Sequence, residues 1–297
     1  MDKLFGNLKI RKQFLFFVIS TLILLLIIRF GVFPIESVKE STNKEIVSFI
    51  DKFVTSIITA LMVGYFIYKL QIDEKKKSLE FTSSSPQIED KLDQARKKCD
   101  SWKFNGGLGR YTRYMTLPEL SSISSKKRET YKVELIILNP ENDILLQKYA
   151  DFRNSVNLKA NWNINFLRKE LLATLFSAIY TTKTNQFLEI DVYVKDFFTL
   201  SRMDISNETA IISREDPLIP TIICYNESYL FKHYKEEFQQ VKRQSKKIDL
   251  DKINTFLLDL NNLDSLSRIL FPCLAFTKNE LNEILQEVNN PKNPFKK

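Results

Sequence analysis

Two apolar runs near the start of the chain constrain its fold more than any other feature. Phe14 to Ile28 reads FLFFVISTLILLLII, and after Arg29 the run continues as FGVFPI, so residues 14–35 hold 22 positions with one charge. A bilayer core of about 30 Å needs about 20 helical residues, which makes this segment long enough to span, with Arg29 near one end. Phe53 to Tyr68, FVTSIITALMVGYFIY, is also uncharged, and Ile46 to Ile50 adds an apolar turn ahead of Asp51 and Lys52. Buried core helices and a cleaved leader are the competing readings. Two such segments within 77 residues argue against the first, and Phe33-Pro34-Ile35-Glu36 offers no small-residue cleavage site against the second. The expectation is a transmembrane α-hairpin over residues 1–77.

Basic residues set its direction. Lys3, Lys9, Arg11 and Lys12 precede the first run and Lys69, Lys75, Lys76 and Lys77 follow the second, while the loop between carries Glu36, Glu40, Glu45 and Asp51. The positive-inside rule then places both termini in the cytoplasm, with Tyr65 and Tyr68 in the inner aromatic belt. The formal charge is +8; residues 1–77 hold 12 basic against 7 acidic residues, leaving 32 against 29 for the rest. Most of the excess therefore marks a membrane face and not a broad nucleic-acid footprint. Ser56, Ala60 and Gly64 put a small residue every fourth position on one face of the second run, suited to close helix packing in lipid, against the first span or against another copy. One hairpin cannot enclose a pore, so membrane damage would require self-association.

The remaining sequence is ordinary in composition, and its mean hydropathy of −0.20 averages an apolar hairpin with a polar domain. Residues 78–86 read as a linker broken at Thr82-Ser83-Ser84-Ser85-Pro86, and 87–297 as one cytoplasmic domain. Helices are expected over 87–103, 141–156, 164–182, 227–244, 249–260 and 278–288. Strands are expected over 131–138, 187–194, 203–205 running on to 210–212, and 220–225, which gives an α/β fold with a mixed sheet covered by helices. One histidine, His233, and three separated cysteines, Cys99, Cys224 and Cys273, leave little for a zinc site, a Ser-His-Asp triad or a thiol redox pair. No catalytic residue, metal site or cofactor is assigned. Asp249 with Asp251, and Asp191 with Asp204, read as structural. Gly106-Gly107-Leu108-Gly109 follows a predicted helix and lacks the Lys-Ser/Thr of a phosphate loop, outside the setting of a nucleotide fingerprint. Arg110, Tyr111, Arg113 and Tyr114 interleave cations and aromatics directly after it, and these four are the candidate ligand- or nucleic-acid-binding residues.

Two resemblances add expectations. The strand YKVELIIL, the helices, LEIDVYV, the stretch from Leu200 to Ser213 and the helix ending Tyr234-Lys235-Glu236-Glu237-Phe238 together resemble half of a phospholipase D-like fold. Aligned on Ile211-Ile212-Ser213, that family's His, Lys, acidic and Gly positions are Ser201, Met203, Glu208 and Ile212. The likeness thus implies a site without its nucleophile and phosphate-binding lysine, and no enzyme. The whole plan, with the stretch Trp102 to Arg113, Leu117-Pro118 and Leu138-Asn139-Pro140, resembles the two-transmembrane effectors encoded beside retron reverse transcriptases in bacterial antiphage systems. That resemblance implies a multi-pass toxin of the bacterial inner membrane, held silent by a reverse transcriptase with its RNA–DNA hybrid and released to permeabilise the membrane in abortive infection. The alternatives are a membrane-anchored phosphodiesterase and a two-span effector gated by a nucleotide second messenger.

Overall fold

A computed structural model of the chain describes residues 41–74, 79–156, 161–216, 219–250, 253 and 259–294, together with positions 16, 20, 23, 24 and 27. It divides into two units, Met1–Lys77 and Ser78–Lys297.

In the first unit, helix α1 runs from Ser41 to Glu74. Its window Val47–Gly64 is the one stretch among the described residues long and apolar enough to cross a membrane, and only 6% of it is buried. Phe49, Phe53, Met62 and Val63 stand largely exposed, unlike the side chains of a soluble core helix. The hydroxyls of Thr55, Ser56 and Thr59 each donate to a carbonyl one turn back, those of Asp51, Lys52 and Thr55, so none asks for water. Ser56 and Ala60 are exposed, and a Cβ on Gly64 would meet nothing within 4 Å. The first apolar run falls almost entirely outside the described residues; its positions 16, 20, 23, 24 and 27 are helical. The side chains of Tyr65 and Tyr68 also fall outside.

The second unit is an α/β domain around an eight-stranded mixed sheet. Its strands are β1 (Leu79–Thr82), β2 (Ser101–Asn105), β3 (Tyr131–Leu138), β4 (Leu188–Lys195), β5 (Ser201–Ile205), β6 (Thr209–Arg214), β7 (Thr221–Tyr225) and β8 (Lys246–Lys247). Helices α2 (Ser85–Lys97), α3 (Leu117–Lys127), α4 (Asp143–Val156), α5 (Ile164–Thr184), α6 (Tyr229–Arg243), α7 (Leu260–Leu270) and α8 (Lys278–Asn289) cover it. The strand order is β1-β7-β6-β5-β2-β3-β4-β8. β2, β3 and β4 are parallel, as helical crossovers require, and every other pairing is antiparallel.

Two apolar faces follow from the period of two along each strand. Val133, Leu135 and Ile137 of β3 point into the larger core, with Trp102, Leu171, Leu172 and Phe176, while Ile136 points into the smaller one under α6. Phe231, Phe238 and Val241 form the buried stripe of α6, set against Tyr193, Met203 and Ile212. α5 is buried nearly all round because β4, α4 and α8 enclose it.

Several boundaries differ from expectation. The helix predicted over 87–103 stops at Lys97, and Ser101–Asn105 forms β2 beside β3. Residues 78–86, read as a linker, hold β1 and the start of α2. The run 203–212 is two antiparallel strands joined at Ser206, whose hydroxyl caps the turn by accepting from the Glu208 and Thr209 amides. Among the described positions of 249–260, helix begins only at Leu260, where the Asp259 carboxylate accepts from the Asn262 amide and caps α7.

Candidate functional site

The glycine cluster follows a strand, contrary to the expectation of a preceding helix. β2 ends at Asn105, the Gly106 amide donates to the Ile136 carbonyl at 3.1 Å, and the Leu138 amide donates to the Gly107 carbonyl at 3.1 Å, so the loop is stitched to β3. Gly109 has φ +68°, and a Cβ there would sit 2.8 Å from Thr174 Cγ2. A Cβ on Gly107 would fall 2.2 Å from the Tyr149 hydroxyl. Helical structure starts at Arg110 and passes through a π-turn at Thr112–Thr116 into α3. The first helical bond runs from the Arg113 amide to the Gly109 carbonyl, 2.9 Å, which leaves the amides of Arg110, Tyr111 and Thr112 ahead of the ladder.

This loop borders a cavity of about 500 Å³. Phe104, Arg202, Asp204, Ser213 and Thr221 line it from β2, β5, β6 and β7. Gly107 through Thr112, Tyr149 and Arg153 of α4, and Trp162 line it as well, with Ser83, Ser85, Arg214, Glu215 and Asp216. Register explains the convergence: Asn105 pairs with Met203, Ser201 with Arg214, and Thr82 with Thr221, so these segments meet at one end of the strands. There β2 leads off to β3 on one side while β5 arrives on its other side. Ligands of open α/β sheets bind at such switch points, outside the carboxyl ends of the strands.

The site is polar but internally paired. Asp204 is 2% exposed, with the Arg202 Nε 3.2 Å from its Oδ2; burial pushes its carboxyl pKa up, against the pull of Arg202 and Arg96. Arg153 forms an ion pair with Glu215, which also accepts from the Tyr149 hydroxyl at 3.0 Å, and its guanidinium lies 4.3 Å from the Trp162 ring centre. The buried atoms of lining residues without a hydrogen-bond partner include Thr112 Oγ1, Trp162 Nε1 and Arg153 Nε. Thr112 is 1% exposed, and a buried hydroxyl left unpaired is uncommon in folded proteins.

Of the four candidates, the cavity is lined by Arg110 and Tyr111. Arg110 approaches Glu170 Oε2 at 3.4 Å and the Phe166 ring at 5.7 Å; Tyr111 is buried, which raises its pKa. Arg113 lies one turn deeper, where it donates to Glu170 Oε2 at 2.7 Å and to the Glu170 carbonyl at 3.0 Å, with Glu287 of α8 at 3.4 Å. Tyr114 is half-buried against the larger core. The alignment with phospholipase D places Ser201 at the start of β5 and Met203 fully buried under α6, and His233 is exposed on α6, 4.0 Å from Glu237. Burial raises the Cys99 thiol to about 12 and the Cys224 thiol to about 11, so neither is a thiolate near neutrality. Among the described residues no three His, Cys, Asp or Glu side chains gather around a metal position.

The chain matches no protein-family model and no curated protein.

The site therefore rests on its own geometry. Thr112, Tyr149, Arg153, Trp162 and Arg202 were not singled out in the sequence, and Asp204, read as structural there, lines the cavity. Their separations in sequence follow no motif spacing. The one readable signal was the glycine cluster, hidden by taking Trp102 and Lys103 as the end of a helix.

Proposed function

We propose that the protein is a membrane effector whose α/β domain governs what its apolar helices do to the bilayer. One observation carries the reading. A helix with an exposed apolar window, Val47–Gly64, shares its chain with a domain whose cavity is lined by arginines and aromatic side chains. Such a domain needs only two states, bound and free, that favour different arrangements of the membrane helix. In this reading the chain lies in a bacterial inner membrane with two spans and cytoplasmic termini, and copies associate through the Ser56, Ala60 and Gly64 faces. The trigger is relief of, or binding to, a partner at the α/β domain. The resemblance to retron effectors makes the partner a reverse transcriptase with its RNA–DNA hybrid and the outcome arrest of an infected cell.

Induced expression with a membrane-potential dye tests it. Full-length protein should depolarise cells, Gly64→Leu should weaken the effect, and co-expressed reverse transcriptase with its hybrid should suppress it. A chain lacking residues 1–77 that still arrested growth would overturn the effector reading. Phosphodiester cleavage by purified protein, lost in His233→Ala, would replace it with the enzyme.

A further inference from the structure

We infer that copies of α1 close into a ring around a water-filled passage for small cations, with Thr55 and Thr59 in its wall. The inference rests on the effector reading and deepens it, since it narrows what the apolar helices do to the bilayer to ion conduction.

The faces of α1 carry it. At about 100° per residue, Glu45, Ser48, Lys52, Thr55 and Thr59 fall along one side of the helix, and all five are exposed. Val47 and Ile50 are buried, and Val54, Ile57 and Leu61 half-buried, on the side roughly opposite. The polar line therefore points away from the part of the helix already covered. Asp51 and Lys52 lie inside the apolar window Val47–Gly64, and ionisable residues at such a position face a bundle interior or water. The Thr55 and Thr59 hydroxyls donate to the carbonyls of Asp51 and Thr55 at 2.8 and 2.9 Å. With their protons committed, these oxygens turn acceptor lone pairs outward, which suit a cation; chloride needs donors.

The two flanks of the line fit neighbouring copies. One position after Thr55 and Thr59, about 100° round the helix, come Ser56 and Ala60, and Gly64 follows, where a Cβ would meet nothing within 4 Å. On the other flank Ile58 and Met62 stand 43% and 58% exposed. Large side chains of one copy seat against the small residues of the next, a head-to-tail contact that closes into a ring with every polar line turned inward. The charges match in the same sense. Asp51 lies towards the Ile58 flank and Lys52 towards the Ser56 flank, both exposed, so the carboxylate of one copy stands beside the ammonium of its neighbour at the same depth.

Currents from purified full-length protein in planar bilayers decide it, in a Cys273→Ser background because Cys273 is exposed while Cys99 and Cys224 are buried. Across a KCl gradient the reversal potential should lie on the potassium side. A positively charged, water-soluble thiol reagent should cut the current severalfold in Thr55→Cys and Thr59→Cys and leave Leu61→Cys unchanged. Asp51→Lys should lower the current, and adding Lys52→Asp should restore it. Carbonate washing of membranes shows whether each variant is inserted. Reversal on the chloride side, block of Leu61→Cys as strong as of Thr59→Cys, leakage of a labelled dextran together with the ions, no current at all, or no rescue by the second charge change in inserted protein would each overturn the passage. Cells still depolarised by full-length protein would then leave the effector reading standing, whereas a chain that depolarises no cell would remove that reading as well.

Discussion

At the scale of single residues, position relative to a surface separates side chains that the sequence presents as equals. Arg110 and Arg113 are both arginines before tyrosines, and both reach Glu170, but Arg113 is 2% exposed and closed in from the α8 side by Glu287. Arg113→Met would leave Glu170 buried without its closest partner, at a cost of about 3–5 kcal/mol, read as a lowered urea midpoint. Gly109→Ala should cost about 1–2 kcal/mol for its left-handed backbone, plus whatever movement of Thr174 the added Cβ demands. Lys195 gives a pH signature. It is 1% exposed, donates to Asn105 Oδ1 at 2.6 Å, and burial lowers its pKa to about 7. Below pH 7 both folded and unfolded chains hold the proton and the folded state bears the full burial penalty. Between about 7 and 10.5 only the unfolded chain holds it, so this residue's contribution to stability rises with pH. Lys195→Met should therefore gain most over the parent near pH 6, and the gain should shrink towards pH 10 in paired denaturation curves.

At the scale of elements, legibility followed the strength of the pattern. β3 could be read from YKVELIIL because a strand buried on both faces is one continuous apolar run, ended by Asn139-Pro140. β2 could not, since SWKFN is five residues long and its Lys103 looks solvent-bound, whereas it pairs with Glu134 at 3.5 Å near the smaller core. β1, LEFT, lies within the expected linker, because four residues carry no readable alternation and the charge of Glu80 is matched only in the fold, by Lys91 at 2.9 Å. Helix ends carried clearer marks. Thr277 and Glu280 form a reciprocal cap on α8, the helix that brings Glu287 to Arg113. Thr277→Ala should destabilise the domain by about 1 kcal/mol, visible in thermal melts, while leaving the cavity residues in place. The cavity itself was not legible, for its lining is scattered along the sequence from Ser83 to Pro294, and its strand residues come together only through the sheet register.

At the scale of the molecule, the division at Lys77 and Ser78 separates a unit whose described helix carries an exposed apolar window from one with two buried cores. Expressed without residues 1–77, the chain should leave the membrane fraction and unfold in one cooperative transition; persistence in the pellet of a folded domain would contradict that partition. The first strand of this second unit has a thermodynamic consequence. β1 is four residues long, pairs only with β7, and leaves Phe81 60% exposed, so detaching it breaks few bonds and uncovers little apolar surface. Its opening free energy is therefore local and well below that of the whole domain. The same short strand runs into Ser83 and Ser85, which line the cavity. The β1 amides should therefore exchange with solvent well ahead of those of β3, which is paired on both sides in the middle of the sheet.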